Sequence, residues 1–258
     1  MLHYTLFAIF WMSLSQNSFT QLQKIADNKE FVDDLVILDT TTTIFNPSFL
    51  KEGTTKFKIG LTVRGQEFQI TSIQSIAKII VAGKNIVRIV ESSSGAMGNS
   101  SDTTDYDGTT LYPISQRSQQ GPASLTFVFT DKSLNGSMQA NGQTMPINAV
   151  ISEPTLPSSS SIGAIIATLP FNDAYTTTIN MFDIISATVR KQSVKVLNRE
   201  KVVVAKGTFV AYKVEMAPAE NDGVKFFYWI SVSTHEVVKT ETILPNMMGG
   251  GTMVGELQ

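Results

Sequence analysis

The chain is poor in residues that do chemistry. Its 258 residues include no cysteine and two histidines, which excludes disulfides, thiolate metal sites and thiol nucleophiles. His3 lies in an apolar N-terminal run. His235 sits in Ser233-Thr234-His235-Glu236, between two strand-like segments, and reads as an exposed turn histidine. A histidine base would need a nucleophile and an orienting acid within reach, and its neighbours in sequence supply neither. So few nitrogen ligands leave only a carboxylate site for calcium or magnesium open. Asp102, Asp105 and Asp107 faintly resemble such a loop, but they lack its central glycine and distal glutamate and read as solvated. Glu215, Glu236 and Glu241 could be imagined as a glycosidase pair, yet they read as outward-facing residues of strands and turns. Gly249-Gly250-Gly251 has no Lys-Ser or Lys-Thr after it, so it is not a phosphate loop. No catalytic residue, metal site or cofactor follows from these types and spacings, and the chain is expected not to be an enzyme.

Charge narrows the partners. A net charge of −2 offers no strongly basic face for nucleic acid. The densest positive run is Arg190, Lys191, Lys195, Arg199, Lys201 and Lys206, opposed within that stretch by Glu200. Lysines alternating with valines are expected to form the wet face of a strand. The sharper alternative is a patch that meets anionic headgroups, a polysaccharide or another envelope protein.

What must position any site is a β-rich scaffold. Phe57, Ile59, Leu61 and Val63 alternate strictly with polar or small residues before a Gly65-Gln66 turn, the pattern of a half-buried hairpin strand. Ile76–Val81 and Ile86–Val90 flank Ala82-Gly83-Lys84-Asn85 as a second hairpin. Residues 92–108, rich in Ser, Gly, Asp and Thr, read as a loop. Leu125, Phe127 and Phe129 share one strand face, and Asn141-Gly142 is a strong hairpin signal. Further alternating runs, including Tyr212-Val214-Met216 and Phe226-Tyr228-Ile230-Val232, surround Asp222-Gly223. One segment differs: after Pro157, a serine run precedes Ile162, Ile165, Ile166 and Leu169 at helical spacing, with a stop at Pro170. That is a short amphipathic helix.

Residues 1–20 read as a signal peptide, since Leu2 to Leu14 is nearly all apolar and too short for a bilayer span of roughly 20 residues. No later segment would cross a membrane, so the mature protein is expected in a periplasmic or extracellular space. Residues 22–39 suit a short surface helix or an irregular lead-in, and Thr40–Thr43 has strand propensity. Residues 21–245 read as one β-rich domain and 246–258 as a flexible Gly/Met-rich tail.

Several stretches carry a family resemblance. They are Asp107-Gly108-Thr109-Thr110-Leu111-Tyr112-Pro113, Leu169-Pro170 with Tyr175, Glu200–Val204, Gly207-Thr208-Phe209 with the residues to Glu215, Trp229-Ile230-Ser231 and Val237–Glu241. This series resembles the exported bacterial proteins grouped as domain of unknown function 3108, over roughly residues 45 to 245. The resemblance implies kinship in architecture with the periplasmic lipoprotein carriers LolA and LolB: a strongly curved antiparallel sheet, an incomplete barrel, with helices over its apolar concave side. It carries over no catalytic residues. A LolB-like protein would carry an acylated cysteine, which this chain lacks.

The expectation is therefore a mainly β protein, a large curved antiparallel sheet or incomplete barrel with one or two short helices. Its apolar complement exceeds what one thin core layer needs, which suggests a cleft for a hydrophobic or lipid-like ligand, lined by Phe57, Phe68, Phe127 and Phe129. The helix residues Ile162, Ile165, Ile166 and Leu169 would close it. The alternative is a structural or adaptor protein that binds another envelope protein through sheet edges or the basic strand face.

Overall fold

Period-two patterning turns most of the chain into strands. In this computed structural model residues 45–96, 98–184, 187–219, 224–246 and 249–258 are described. The expected signal peptide, the 22–39 lead-in, the threonine run at 40–43 and the Asp222-Gly223 turn lie outside them. The first half is a meander: β1 (Gly53–Val63), β2 (Gln66–Val81), β3 (Lys84–Gly95), β4 (Ser100–Asp107), β5 (Pro113–Gln120), β6 (Ala123–Phe129), β7 (Ser133–Ala140) and β8 (Gln143–Val150). A two-residue strand, β9 (Thr155–Leu156), and a short helix, α1 (Ile162–Ile166), separate it from a second meander. That one comprises β10 (Thr176–Asp183), β11 (Thr188–Val204), β12 (Gly207–Pro218), β13 (Lys225–Ser231), β14 (Val237–Leu244) and β15 (Gly251–Leu257).

All fifteen strands form one curved, unclosed sheet. β15 returns to pair with β1, which places the two meanders side by side in the order β8 to β1, then β15 to β9. Neighbouring strands are antiparallel except β9 and β10. The two sheet edges, β8 and β9, are consecutive in sequence. Only residues 151–154 connect them, and five Cα steps span at most about 17 Å, so the edges come close together at that end.

Tight turns set the register. Asn141 and Gly142 close β7 onto β8 with φ of 50° and 75°, the left-handed pair required by a type I′ hairpin. Inward positions then repeat every second residue: Phe57, Ile59 and Leu61 on β1 are all nearly inaccessible, while the residues between them face outward.

Two sequence expectations are corrected. The 92–108 segment is strand to Gly95 in β3 and again from Ser100 to Asp107 in β4, where Asp102, Thr104 and Tyr106 are buried in alternation with their neighbours. The C-terminal tail holds β15, whose inward Met253, Gly255 and Leu257 pair across to β1 and β14. Its glycines weaken the hydrophobic alternation that would have announced it.

Two cores result. The larger gathers β1, α1, the inner faces of β10 to β15, and Ile70, Val87, Ile89 and Tyr106 from β2 to β4. The smaller holds Leu125, Phe127, Phe129, Leu134, Met138, Met145 and Ile147 with Phe182 of β10. Phe182 meets Phe127 edge-on at 5.5 Å between ring centroids, so side chains close the seam that backbone pairing leaves open.

Candidate ligand cavity

The helix that breaks the strand pattern is buried on every side. At about 100° per residue, Ile162, Ile165, Ile166 and Leu169 fall on one face and Gly163, Ala164 and Ala167 on the other. The bulky face packs into the large core, with none of those four residues exposed. The small face borders a cavity of about 320 Å³. Glycine at 163 permits close approach to the sheet, since a Cβ there would lie 3.0 Å from Tyr228 Cε1.

Opposite the helix, Phe57 and Ile76 supply apolar wall, with Gln74, Tyr228 and Thr240 beside them. Tyr228 on β13 and Thr240 on β14 are direct cross-strand partners on the inner face. Both are about 1% exposed. Neither hydroxyl has a hydrogen-bond partner among the described residues. Burial pushes the Tyr228 phenol well above its ordinary pKa, so it stays a protonated donor. A buried hydroxyl without a partner costs roughly 1–3 kcal/mol, and both oxygens are sealed from solvent in this structure.

The mouth is charged but neutralised. Lys51, Glu52 and Lys206 are exposed around it, and Lys206 Nζ donates to Glu236 at 2.7 Å. His235, in a left-handed turn position with φ 56°, stacks on Phe49 at 3.6 Å between centroids. Its Nδ1 lies 3.2 Å from the Ala167 carbonyl oxygen. The turn histidine is thus half-buried and props the helix end. A larger depression of about 930 Å³, more open to solvent, lies among the strand-end turns around Ser92–Ser94 and Gln119–Gly121.

Behind Gln74 runs a polar row. Gln74, Glu91, Asp102 and Ser118 are successive register partners across β2, β3, β4 and β5, all buried. Ser72 Oγ donates to Glu91 Oε1 at 2.6 Å and Gln74 Nε2 to Oε2 at 3.2 Å. Asp102 accepts from Thr104 Oγ1 at 2.9 Å, Gln116 Nε2 at 2.9 Å and Ser118 Oγ at 2.7 Å. Burial raises its pKa against the opposing pull of those donors. Beside the row, Tyr106 Oη bonds to Ser161 Oγ at 2.6 Å, tying the helix start to β4.

The residues singled out in the sequence separate accordingly. Phe57 lines the cavity. Ile162, Ile165, Ile166 and Leu169 sit on the helix face turned away from it, and Phe68 is partly buried at the margin of the same core. Phe127 and Phe129 belong to the seam core and do not meet the helix. The three aspartates diverge: Asp102 points inward, Asp105 pairs with Arg88 at 2.7 Å, and Asp107 caps its own turn through the Thr109 and Thr110 amides. Those amides, Thr110 foremost, hold its pKa low. The basic run is met by acids from elsewhere in the fold: Lys195 by Glu215 at 2.8 Å, Arg199 by Asp173 at 2.6 Å and Arg190 by Asp183 at 3.8 Å. Glu91, Tyr228 and Thr240 escaped notice as a set. The signal was available, because Val87-Ile89-Glu91 continues one inward alternation without a break.

A curved, unclosed β-sheet with a buried helix and a cavity beside it defines a β-barrel-like fold. The chain belongs to the family described as a protein of unknown function, DUF3108, whose model matches residues 48–248. No curated protein matches it. Among solved structures it is similar to a β-barrel-like protein of domain of unknown function DUF1849 from Brucella abortus, at 10% identity and a TM-score of 0.48, covering 80% of this chain and 95% of that one. It is also similar to a candidate exported protein with a YmcC-like fold from Bacteroides fragilis (11%, TM-score 0.33, 83% and 97% covered). A third is a DUF1329 family protein from Desulfovibrio piger (8%, TM-score 0.28, 94% and 89% covered). Among the described residues no helix is long and apolar enough to cross a membrane.

Proposed function

We propose that this is an exported, non-enzymatic protein of the cell envelope that holds a small hydrophobic or lipid-like molecule between α1 and the sheet. The observation that carries this reading is the cavity itself, with apolar walls and a helix face of glycine and alanines. Pockets that take small ligands combine such walls with a few placed polar groups, and 320 Å³ falls at the low end of their range. Each buried methylene is worth about 0.8 kcal/mol. Eight would contribute about 6 kcal/mol, enough to offset an association cost near the low end of its range. The adaptor reading has less support, since the basic strand's cations largely have acidic partners.

The test is native mass spectrometry of protein purified from its own host, with lipid extraction, beside the variant Ala164→Leu. A near-stoichiometric acyl species on the wild type and its loss from the variant is the expected result. A wild type that arrives empty and takes up neither added fatty acids, fatty alcohols nor phospholipids would move the reading to an adaptor.

A further inference from the structure

We propose that the end of the sheet carrying the cavity mouth is a membrane-docking face, where the β2–β3 and β11–β12 hairpins press their tips into a lipid bilayer with anionic headgroups. This docking stands apart from whatever the cavity holds. Strand register puts both hairpins on one rim. β1 begins at Gly53 opposite Ile76, and β2 runs from there to Val81, about 16 Å further, before the turn at Ala82-Gly83. Gly207 to Val210 likewise precede Ala211, the first β12 residue paired with β13. In the sheet order, the β1 start and the β13–β14 turn lie between the two hairpins, and Gly53, Lys206 and Glu236 line the mouth there.

Singly scattered aliphatic residues on a surface are ordinary, but these gather by position. Ile80 is 75% exposed and Val203 70%, each next to last in its strand. Val128, Val150 and Val210 are the other large apolar residues more than half exposed among those described, and all three lie near strand ends on the same rim. They are spread over separate strands, which suits a broad apolar layer better than the compact centre of a protein interface. The two tips also share a composition. Ile79-Ile80-Val81 stands between Lys78 and Lys84, and Val202-Val203-Val204 between Lys201 and Lys206, all four lysines exposed. Aliphatic groups at a bilayer surface enter the acyl boundary while the ammonium groups behind them stay among headgroups. Nearby acids are engaged within the protein: Glu52 accepts from the Lys78 amide at 2.8 Å, Asp107 caps its own turn and Glu236 holds Lys206. Lys78, Lys84 and Lys201 supply the attraction to anionic headgroups.

The test uses protein purified from its own host as Ile80→Trp, Val203→Trp and, on the opposite rim, Ile243→Trp. Substitution at such exposed positions leaves folding intact. Each is mixed with vesicles of equimolar phosphatidylcholine and phosphatidylglycerol carrying brominated acyl chains. Relative to the unsubstituted protein, the added emission at 80 and 203 is expected to shift to the blue and be quenched, and that at 243 to stay unquenched. Ile80→Ser combined with Val203→Ser is expected to weaken vesicle binding about tenfold, and phosphatidylcholine alone to bind several-fold less tightly than the mixture. No vesicle binding, binding indifferent to the serine pair, or equal quenching at all three positions overturns the proposal. Binding that needs phosphatidylglycerol yet leaves every tryptophan unquenched is attraction by charge alone and overturns it as well. Equal affinity for both vesicle types overturns the role given to the lysines. A dimer in sedimentation that the serine pair dissolves, without vesicle binding, overturns it and assigns the tips to a second copy of the chain.

Discussion

Two stretches of the sheet, β12 to β14 and β3 to β5, line one interior with different mixes of side chains. From β12 to β14 the inner positions carry Val214, Met216, Phe226, Ile230 and Val238. From β3 to β5 they carry Glu91, Asp102, Thr104, Gln116 and Ser118 beside Val87, Ile89 and Tyr106. Burial is equally complete on both sides, so exposure does not separate them; the partner does. In the apolar half a side chain needs only volume, and hydrophobic burial is non-directional. In the polar half each atom needs a particular donor or acceptor, since an orphan costs its full desolvation. The cavity lies where the two regimes meet, with Gln74 from one and Tyr228 from the other on its walls.

The largest effect should come from the apolar half. Ile165→Ala, at a fully buried position in the large core, is expected to lower the unfolding free energy by about 4 kcal/mol, read from urea denaturation. Asp102→Ala should come close, at about 3 kcal/mol, because it strands the donors of Thr104, Gln116 and Ser118. A loss below about 0.5 kcal/mol, typical of a surface change, would mean the polar row is ornament and the contrast between halves is empty.

A pH scan sharpens the same contrast. Burial lifts the Asp102 pKa in the folded state, while the unfolded carboxyl titrates near 3.9. Between those two values the folded chain retains a proton that the unfolded chain has released. Stability owed to this group is therefore greatest below the unfolded pKa and falls as pH rises through the folded one. Asp102→Asn should remove that slope, so the difference between wild-type and variant denaturation midpoints should tilt toward the variant as pH rises from 4 to 8. Ile165→Ala should shift the wild-type curve without tilting it. Equal tilts in both variants would contradict the assignment.

These chemistries also decide what could be read without coordinates. The apolar half announces itself, because Phe226-Tyr228-Ile230 and Val202-Val204 keep period two in hydrophobic letters. The polar half keeps the same period in serines, threonines and acids, which individually favour loops and turns, so residues 92–108 read as a loop although Asp102, Thr104 and Tyr106 all face inward. The helix was legible as an amphipathic segment. Its orientation was not: the bulky stripe faces the core and the small residues face the cavity, which depends on where β13 and β14 lie. Cross-strand pairs such as Tyr228 with Thr240 depend on register, and register is fixed by turns and bulges such as the shift between Trp229 and Ile230, which hydrophobic periodicity does not encode.

The smallest expected effect discriminates most sharply, because one substitution can be made in both halves. Thr104 and Thr242 are both threonines on inner strand positions with no exposed surface. Thr104 Oγ1 donates to Asp102 Oδ1 at 2.9 Å. Thr242 stands between Phe226 and Met253 as register partners, and its hydroxyl has no partner among the described residues. Replacing either by valine keeps the branched shape and removes the hydroxyl. Thr104→Val loses a hydrogen bond to a carboxyl group and should cost about 1.5 kcal/mol. Thr242→Val removes an unsatisfied polar atom from apolar surroundings and should be neutral or stabilising by up to about 1 kcal/mol. Opposite signs, measured as urea midpoints in otherwise identical chains, would establish that partner and not burial divides the interior. A loss at Thr242 as large as at Thr104 would instead reveal a bound water or ligand oxygen on that hydroxyl, extending the polar region from the cavity along β14.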